Sequence, residues 1–251
     1  MILVFGGTTE GKQVIEVLNT LRKPFVYSTK TEIEPVVGDF GTYRFGAFTV
    51  KGLSNYIQNS GIKMIVHASH PFAEVLHQTI AIAAVQHQIP VYRLQREYPL
   101  RQKEQNVNYL DSYEGLKTEL KQNFSHKKGL FLTGVQTISR LQYFWKEQCS
   151  YFRILDRQSS IDMALESQFP ESQLILGMPN KIIENEIKLI QSLGIEFMVT
   201  KESGESGSLS LKIAAASHCG IPILIIKKPI LPAHFILMES KEALENTIRK
   251  V

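Results

Sequence analysis

Short apolar runs alternate with longer amphipathic segments along the whole chain of 251 residues. The runs are rich in β-branched residues, as buried strands of a parallel sheet are, and the intervening segments carry apolar residues at helical spacing. This alternation predicts an α/β protein with mainly parallel sheets. Strands are predicted at 2–5, 24–28, 63–67, 90–93, 129–133, 151–154, 172–176, 196–199, 222–226 and 235–238. Helices are predicted at 10–22, 51–60, 72–87, 112–123, 136–148, 181–193, 207–218 and 240–250.

Segments of the first half recur in the second half at an offset of about 130 residues, which indicates an internal repeat. The stretch LVFGGTTEG corresponds to LFLTGVQTI, GIKMIVHASH to GIEFMVTKES, and IAAVQHQIPVYRL to IAAASHCGIPILII. We therefore predict two similar Rossmann-like, doubly wound domains with a ligand cleft between them. The polar stretch QREYPLRQKEQNVN is the expected connection, and it divides the chain into domains at 1–110 and 111–251.

The composition excludes several classes of function. The net charge is +4 at pH 7, and the basic residues form no runs of the kind that bind a nucleic acid backbone. No apolar stretch reaches the roughly 18 residues of a membrane span, and no signal peptide pattern is visible. A cytoplasmic protein with neither a nucleic acid nor a membrane partner is expected. The mild basic bias suits a small polyanionic ligand.

The stretch GGTTEGKQ follows the first predicted strand and nearly satisfies two phosphate-binding patterns. Gly6, Gly11 and Lys12 fit the nucleoside triphosphate loop, but Gln13 replaces the hydroxyl residue that binds Mg²⁺. Gly6 and Gly11 also fit the dinucleotide pattern G-x-G-x-x-G, with Thr8 in place of the middle glycine. No strand ends in a convincing Mg²⁺-binding aspartate, so a dinucleotide is favoured. A tight turn without a ligand is the alternative.

Hydroxyl and amine groups near this loop point to the choice of cofactor. The backbone N–H groups of the loop, with the hydroxyls of Thr8 and Thr9, can bind a pyrophosphate. The second strand ends in VYSTKT and lacks the acidic residue that would accept a ribose 2′-OH. Ser28, Thr29 and Lys30 instead suit a 2′-phosphate, which favours NADPH over NADH.

Two further loops lie at predicted strand ends. In HASHPFAEV, His70 and Pro71 stand between a strand and a helix, where His70 either contacts a ligand or caps and packs. His67 and His70 alone have no third ligand at metal-binding spacing, so no metal site is predicted. In the second half, VTKESGESGSLSLKIAAA offers N–H groups, hydroxyls and two lysines to carboxylates, unless it is simply a solvated loop.

These motifs together resemble the precorrin-6A reductase family of cobalamin biosynthesis, including its cobalt-precorrin-6A branch. The resemblance rests on GGTTEG, HASHPFA, TGVQTISRL, RILD and VTKESGESGSLSLKIAAA, which occur in the expected order over nearly the whole chain. It implies two Rossmann-like domains with the pigment between them. It also implies an oxidoreductase that uses NADPH or NADH to reduce one C=C bond of the macrocycle of precorrin-6A or cobalt-precorrin-6A.

The resemblance also implies a set of site residues. Those matching the family's nucleotide loop and a second cofactor segment are Gly6, Gly7, Thr8, Glu10, Gly11, Arg44 and Gly46. His70, Pro71 and Phe72 match the family's HPF segment, in which Pro71 is expected to contact the cofactor and His70 to be catalytic. Those matching the loop of the second half are Lys201, Ser203, Gly204, Gly207 and Lys212. The chain departs from the family at His67 and Ser69, where the family has Asp and Thr.

The substrate of such a reductase is a tetrapyrrole rich in carboxylates, which explains a need for cations. The candidate anchors are Arg93, Arg96, Arg153, Lys201 and Lys212. Hydride addition also requires a proton on the neighbouring carbon, and either His70 or bound water can donate it. Transfer of the intermediate to other enzymes of the pathway would be a further partner interaction. The sequence leaves open whether the substrate already carries cobalt.

Two other functions are compatible with the sequence. Tyr113 and Lys117 form the Y-x-x-x-K pattern of short-chain reductases, but no catalytic serine lies at a suitable distance upstream, so we interpret the pair as chance. The other alternative is a non-enzymatic module that senses a dinucleotide and does not consume it.

Overall fold

The computed structural model of the chain describes residues 1–101 and 106–250. The strands are β1 (Ile2–Phe5), β2 (Phe25–Thr29), β3 (Gly41–Phe45), β4 (Met64–His67), β5 (Val91–Leu94), β6 (Val107–Leu110), β7 (Gly129–Leu132), β8 (Ser150–Ile154), β9 (Leu174–Leu176), β10 (Phe197–Lys201), β11 (Ile223–Ile226) and β12 (Ile236–Met238). The helices are α1 (Thr9–Thr20), α2 (Val50–Asn59), α3 (Glu74–Gln86), α4 (Tyr113–Asn123), α5 (Gln136–Arg140), α6 (Gln142–Trp145), α7 (Gln158–Glu166), α8 (Ile183–Leu193), α9 (Leu209–His218) and α10 (Lys241–Arg249).

The chain divides into two compact units. Each unit combines a parallel sheet with helices, which confirms the predicted α/β fold. The first unit contains residues up to Glu97 together with the chain from Pro229 onward, and the second runs from Tyr98 to Lys228. Each unit has one six-stranded sheet in which all neighbouring strands are parallel. Among the described residues, no helix is both long and apolar enough to cross a membrane.

The sheet of the first unit has the strand order β12-β5-β4-β1-β2-β3. Alternate residues of β1 enter different apolar clusters, because successive side chains of a strand point to opposite faces. Ile2 and Val4 pack with α1 and α10 on one face, whereas Leu3 and Phe5 pack with α2 and α3 on the other. Both faces of the sheet are therefore covered by helices, as a parallel sheet requires.

The sheet of the second unit has the strand order β6-β11-β10-β7-β8-β9. One apolar cluster joins its central strands to α8 and α9. The alternate residues of the same strands carry a group of aromatic rings, in which Phe131 stacks on Phe152 at a centroid distance of 4.6 Å and meets Phe197 edge to face. This second cluster also contains Phe144 of α6, which meets Phe131 and Phe197 edge to face.

The predicted domain boundaries differ from the observed division at both ends. The boundary at 110/111 assigned β6 to the first domain, but β6 pairs with β11 of the second sheet. It also assigned the end of the chain to the second domain, whereas β12 pairs with β5 and α10 packs on α1 in the first unit. Strand pairing, rather than position along the chain, decides which unit a segment belongs to.

The two sheets have equivalent strand orders, in agreement with the predicted repeat. Strands β1, β4 and β5 take the positions that β7, β10 and β11 take in the other sheet. The strand beside β5 is β12, and the strand beside β11 is β6, so the equivalent edge strands come from different parts of the chain. The two units therefore have the same arrangement of strands in space, although the strands at one edge do not follow the same order along the chain.

Candidate functional site

The candidate nucleotide loop lies where the strand order of the first sheet reverses. β1 has β2 on one side and β4 on the other, and the crevice at such a switch point is where doubly wound sheets bind ligands. The loops after β1 and β4 are joined there, because the Thr8 hydroxyl donates a hydrogen bond to the Ala68 carbonyl at 2.5 Å. The same hydroxyl accepts the Gly11 N–H at 3.1 Å and thereby caps α1.

Contacts with Tyr27 explain why the loop has glycine at these positions, which the sequence did not indicate. Its hydroxyl accepts the Gly7 N–H at 2.8 Å, and its ring is buried. A Cβ atom at Gly6 would collide with this ring, and one at Gly11 would lie 2.5 Å from the Tyr27 hydroxyl. The glycines predicted from the phosphate-binding pattern are therefore required by packing as well. Burial raises the pKa of Tyr27, so its hydroxyl stays protonated.

Glu10, in the first turn of α1, forms a buried ion pair with Arg96. The Nε atom of Arg96 lies 3.1 Å from Oε2 of Glu10, and both side chains are 6% exposed. The structure thus brings a predicted substrate anchor against the nucleotide loop, in the first unit. Thr9 stands beside Glu10 and is exposed. The first-turn N–H groups of Thr9 and Glu10 have no carbonyl four residues earlier within the helix, so they can face an anion.

Arg44 lies at the carboxyl ends of β2 and β3, next to residues predicted to bind the cofactor. Its Nη1 donates to the Ser28 hydroxyl at 2.6 Å, and its Nη2 donates to the carbonyls of Phe45 and Gly46 at 2.9 and 3.0 Å. Its guanidinium also lies 3.8 Å above the centre of the Phe48 ring. Burial lowers the pKa of Arg44, but the guanidinium stays charged at physiological pH.

Thr29 and Lys30 complete this end of the sheet. The Thr29 hydroxyl donates to the Thr31 carbonyl at 2.7 Å and shares a 2.8 Å hydrogen bond with the Tyr43 hydroxyl. The Lys30 side chain is exposed, whereas its carbonyl accepts the Gly46 N–H at 3.2 Å. Lys30 is therefore the cation of this group that is most accessible to a ligand.

His70 is exposed in the loop after β4, and Pro71 beside it is buried. Nδ1 of His70 accepts the Phe72 N–H at 3.2 Å. Below this loop, His77 is buried and bonded to the His70 backbone; burial, together with the nearby Arg93, lowers the pKa of His77 to about 4. Arg93 is itself 3% exposed, so this predicted anchor lies inside the first unit.

The second predicted group lies at the carboxyl end of β10, in the segment Lys201–Ser208, which we call the lysine loop. Ser203 and Gly204 are buried, and Gly204 has a φ of 71° that favours glycine. A Cβ atom at Gly207 would collide with the Ser203 side chain, so the loop packs against itself. Its compact backbone holds Lys201 at the end of the strand.

Lys212 belongs to a buried cluster of charges in the second unit. Its Nζ atom donates to the Thr200 hydroxyl at 3.3 Å. Nearby, Nη2 of Arg153 bonds Oε2 of Glu186 at 2.9 Å, and the Asn180 amide donates to the same oxygen at 2.6 Å. Burial, with the like charge of Arg153, lowers the pKa of Lys212 to about 8, against the opposing attraction of Glu186. The predicted anchors Arg153 and Lys212 are thus brought together.

Several residues of these clusters were missed from the sequence. Glu186 was one that the pattern could have indicated, because it stands on the apolar stripe of α8 with Ile183, Ile187 and Ile190. Tyr27 gave no such signal, since a tyrosine fits any buried strand. The predicted pair Tyr113 and Lys117 lies on α4, where Lys117 bonds Glu114 at 2.7 Å. Among the described residues, no group of three His, Cys, Asp or Glu could hold a metal ion.

Comparison with known proteins agrees with the fold and with the motifs. The family described as precorrin-6x reductase CbiJ/CobK matches residues 1–249. A precorrin-6A reductase of Rhodococcus erythropolis is 30% identical over 238 residues, which cover 92% of this chain and 90% of that protein. A cobalt-precorrin-6A reductase of Priestia megaterium is 29% identical over 194 residues, covering 74% of this chain and 73% of that protein.

A solved structure of the precorrin-6A reductase CobK shares the fold. It has a TM-score of 0.79 and 20% sequence identity, and the match covers 99% of this chain and 96% of that chain. The predicted pair of Rossmann-like α/β domains is therefore confirmed at the level of the fold. The family match extends over almost every residue of the chain, including both candidate groups. The chain belongs to the precorrin-6x reductase family, CbiJ/CobK.

Proposed function

We propose that this protein reduces one C=C bond in the macrocycle of precorrin-6A or cobalt-precorrin-6A, with NADPH as the hydride donor, in the corrin pathway of cobalamin biosynthesis. The family match over residues 1–249 is the observation that carries the proposal. A cytoplasmic location agrees with a biosynthetic enzyme of this kind. The loop contacts described above support the choice of residues.

The residues of the first unit fit a dinucleotide with a 2′-phosphate. Gly6 and Gly7 form the turn into α1, and Gly11 lies in the first turn of this helix. The N–H groups of Thr9 and Glu10 would bind the pyrophosphate there. Ser28, Thr29 and Lys30, at the carboxyl end of β2, include no carboxylate that could accept a ribose 2′-OH. A hydroxyl from Ser28 and a guanidinium from Arg44 stand there instead, 2.6 Å apart, which favours a phosphate.

The residues of the second unit would bind the substrate. The charges that act on Lys212 are those of Arg153, Lys201 and Glu186, so the described cluster has three cations and one carboxylate. This excess of positive charge would bind acetate and propionate groups. Ser203 and Gly204 add polar backbone and hydroxyl groups beside Lys201. Arg93 and Arg96, in contrast, lie in the first unit, where Arg96 would position Glu10 beside the cofactor.

The chain contributes binding and orientation to the reaction. When bound, NADPH supplies the hydride, and one proton must reach the neighbouring carbon. In the neutral ring of the exposed His70, Nδ1 accepts the Phe72 N–H. To act as the acid, the ring must first gain a proton at Nδ1, which breaks that hydrogen bond; Nε2 would then donate its proton and leave a neutral imidazole. If His70 is the proton donor, His70→Gln should lower the rate of reduction by about 10²-fold. If bound water is the donor, the rate should not change in this variant.

The test follows both reactants in one cuvette. Loss of the NADPH absorbance must accompany the change in the pigment spectrum, with metal-free and cobalt-containing substrate measured in parallel. Binding of NADPH without consumption in the presence of either substrate would identify a dinucleotide-sensing module instead. Tyr113→Phe separates the short-chain alternative, because unchanged turnover excludes a catalytic tyrosine at that position.

A further inference from the structure

Glu202 is a buried carboxylate that follows Lys201 directly in the lysine loop. Its side chain is 4% exposed. Oε1 accepts a hydrogen bond from Nε of Arg101 at 2.8 Å, and Oε2 accepts one from Nη2 of the same guanidinium at 2.9 Å. Paired bonds of this kind fix direction as well as distance, so the carboxylate cannot rotate without losing both.

The same carboxylate also bonds the chain after β11. Oε2 accepts the backbone N–H of Lys228 at 2.9 Å, and the Glu202 N–H donates to the Ile226 carbonyl at 2.8 Å. The ammonium of Lys228 lies 3.6 Å above the centre of the Tyr98 ring. Glu202 therefore contacts both stretches by which the chain enters and leaves the second unit, near Arg101 and near Lys228.

We propose that Glu202 is a positioning residue for the substrate: its bonds to Arg101 and Lys228 fix the backbone of the lysine loop so that Lys201 and Ser203 keep the orientation that binds the macrocycle carboxylates. The inference rests on the proposed function of the lysine loop. The sequence motif alone does not indicate this role. Arg101, the partner of Glu202, lies far from the lysine loop in the sequence, and the burial of Glu202 is visible only in the structure.

The packing of the loop makes such positioning effective. Ser203 is buried directly after Glu202, and Gly207 packs against its side chain so closely that no Cβ atom would fit. A shift of Glu202 therefore has to move Ser203 and, on its other side, Lys201. Displacement of a binding group by about 1 Å can cost two orders of magnitude in rate, so small shifts of the loop are sufficient.

The test removes Arg101 rather than the buried carboxylate. In Arg101→Leu, the KM for the macrocycle is expected to rise about tenfold, with kcat less affected and the Kd for NADPH unchanged. Added guanidinium ion should lower that KM again, whereas sodium chloride at equal ionic strength should not. The matched control is Arg249→Leu, which breaks an Arg–carboxylate pair with Glu245 on α10 and should leave all three constants as in the wild type.

Lys201→Ala is measured in parallel to separate two kinds of failure. If Lys201→Ala raises the macrocycle KM and Arg101→Leu does not, the positioning role is wrong while the substrate loop stands. If neither variant changes the macrocycle KM, both the positioning role and the assignment of the loop are wrong. If Arg101→Leu raises the macrocycle KM and lowers the melting temperature, and guanidinium ion does not lower that KM again, the inference is also wrong, because the ion pair then has only a structural role.

Discussion

The hydroxyl of Tyr27 accepts the backbone N–H of Gly7 at 2.8 Å and blocks any side chain at Gly11. Tyr27 belongs to β2, Gly7 to the turn after β1 and Gly11 to the first turn of α1, so β2 determines the shape of the nucleotide loop that follows its neighbour β1. A phosphate-binding turn and its supporting strand are therefore coupled through one phenol.

A double-mutant cycle between Gly11 and Tyr27 tests this coupling. Gly11→Ala should destabilise the protein by roughly 1–3 kcal/mol, because the new methyl group overlaps the Tyr27 hydroxyl in a packed site. Tyr27→Phe alone should cost about 1 kcal/mol, the value of one hydrogen bond. The double variant should be less destabilised than the sum, since the overlapping oxygen is gone. Urea unfolding followed by circular dichroism gives the four free energies; additive effects would contradict the coupling.

Lys30 is the exposed cation beside Ser28 and Arg44, where we propose that the 2′-phosphate of NADPH binds. Lys30→Ala should weaken NADPH binding by about 1–3 kcal/mol, as expected for one charge-assisted bond, and leave NADH binding unchanged. The Kd values are measured by nucleotide fluorescence. Lys63→Ala is the control, because Lys63 is also exposed but precedes β4, at the opposite end of the sheet. Equal affinity of the native protein for both cofactors would remove the basis for a 2′-phosphate site.

Lys212 is expected to lower the free energy of unfolding and to increase the affinity for the substrate. Its pKa of about 8 in the folded protein lies below the ordinary 10.5, so burying the charged ammonium opposes folding at pH 7. Lys212→Met should stabilise the second unit by roughly 1–3 kcal/mol at pH 7, from a shift of this size at 1.36 kcal/mol per pKa unit, and should raise the macrocycle KM. Lys188→Met, on the exposed side of α8, should do neither.

The pH dependence gives this prediction a sign. Between about pH 8 and 10.5, the unfolded chain keeps a proton on Lys212 that the folded protein has released. Native stability should therefore rise with pH across that window, and the rise should be absent in Lys212→Met. Trp145 lies in the second unit and is the single tryptophan of the chain, so its fluorescence reports the transition. Equal slopes in the two proteins would refute the lowered pKa.

His77 should make the first unit sensitive to acid. Its folded pKa of about 4 lies below the ordinary 6.5, so the unfolded state binds a proton first as the pH falls. The neutral His77 makes its full contribution to the free energy of unfolding above about pH 6.5. That free energy should decrease by up to about 3 kcal/mol as the pH approaches 4. His77→Phe keeps a buried ring and should flatten this slope in circular dichroism. His67 is buried beside it with a pKa lowered in the same direction, so part of the slope should remain.

The elements that the sequence predicted well are those whose burial is two-sided. β1, β4, β7 and β10 each contain at least three consecutive apolar residues, and the loops after β1, β4 and β10 contain many of the predicted site residues. The prediction missed β3 (Gly41–Phe45), an edge strand whose pattern mixes polar and apolar residues, and β6, which is also an edge strand. The prediction also missed α7 and joined α5 and α6 into one helix. In both places polar residues interrupt the helical spacing of the apolar residues.

The contacts of the site depend on distant pairings that local patterns do not encode. The loop glycines were recognised from spacing, but their packing against Tyr27 depends on β1 and β2 lying side by side. Arg96 was predicted as a substrate anchor from its charge alone, and its pairing with Glu10 becomes visible only when β5 and α1 are placed in one unit. The expected cleft between the domains and the expected transfer to other pathway enzymes stay predictions.

The pairing of β12 with β5 has a consequence for the order in which the protein is made. Residues Ile236–Met238 follow the entire second unit along the chain, so a ribosome releases them after Lys228. Until then the edge of β5 exposes unpaired backbone groups, and the face of α1 lacks Leu244 and Ile248. Domains usually complete themselves in the order of synthesis. Here the unit that emerges second is complete before the unit that emerged first, and the nascent amino-terminal half must wait for the last part of the chain to close its sheet.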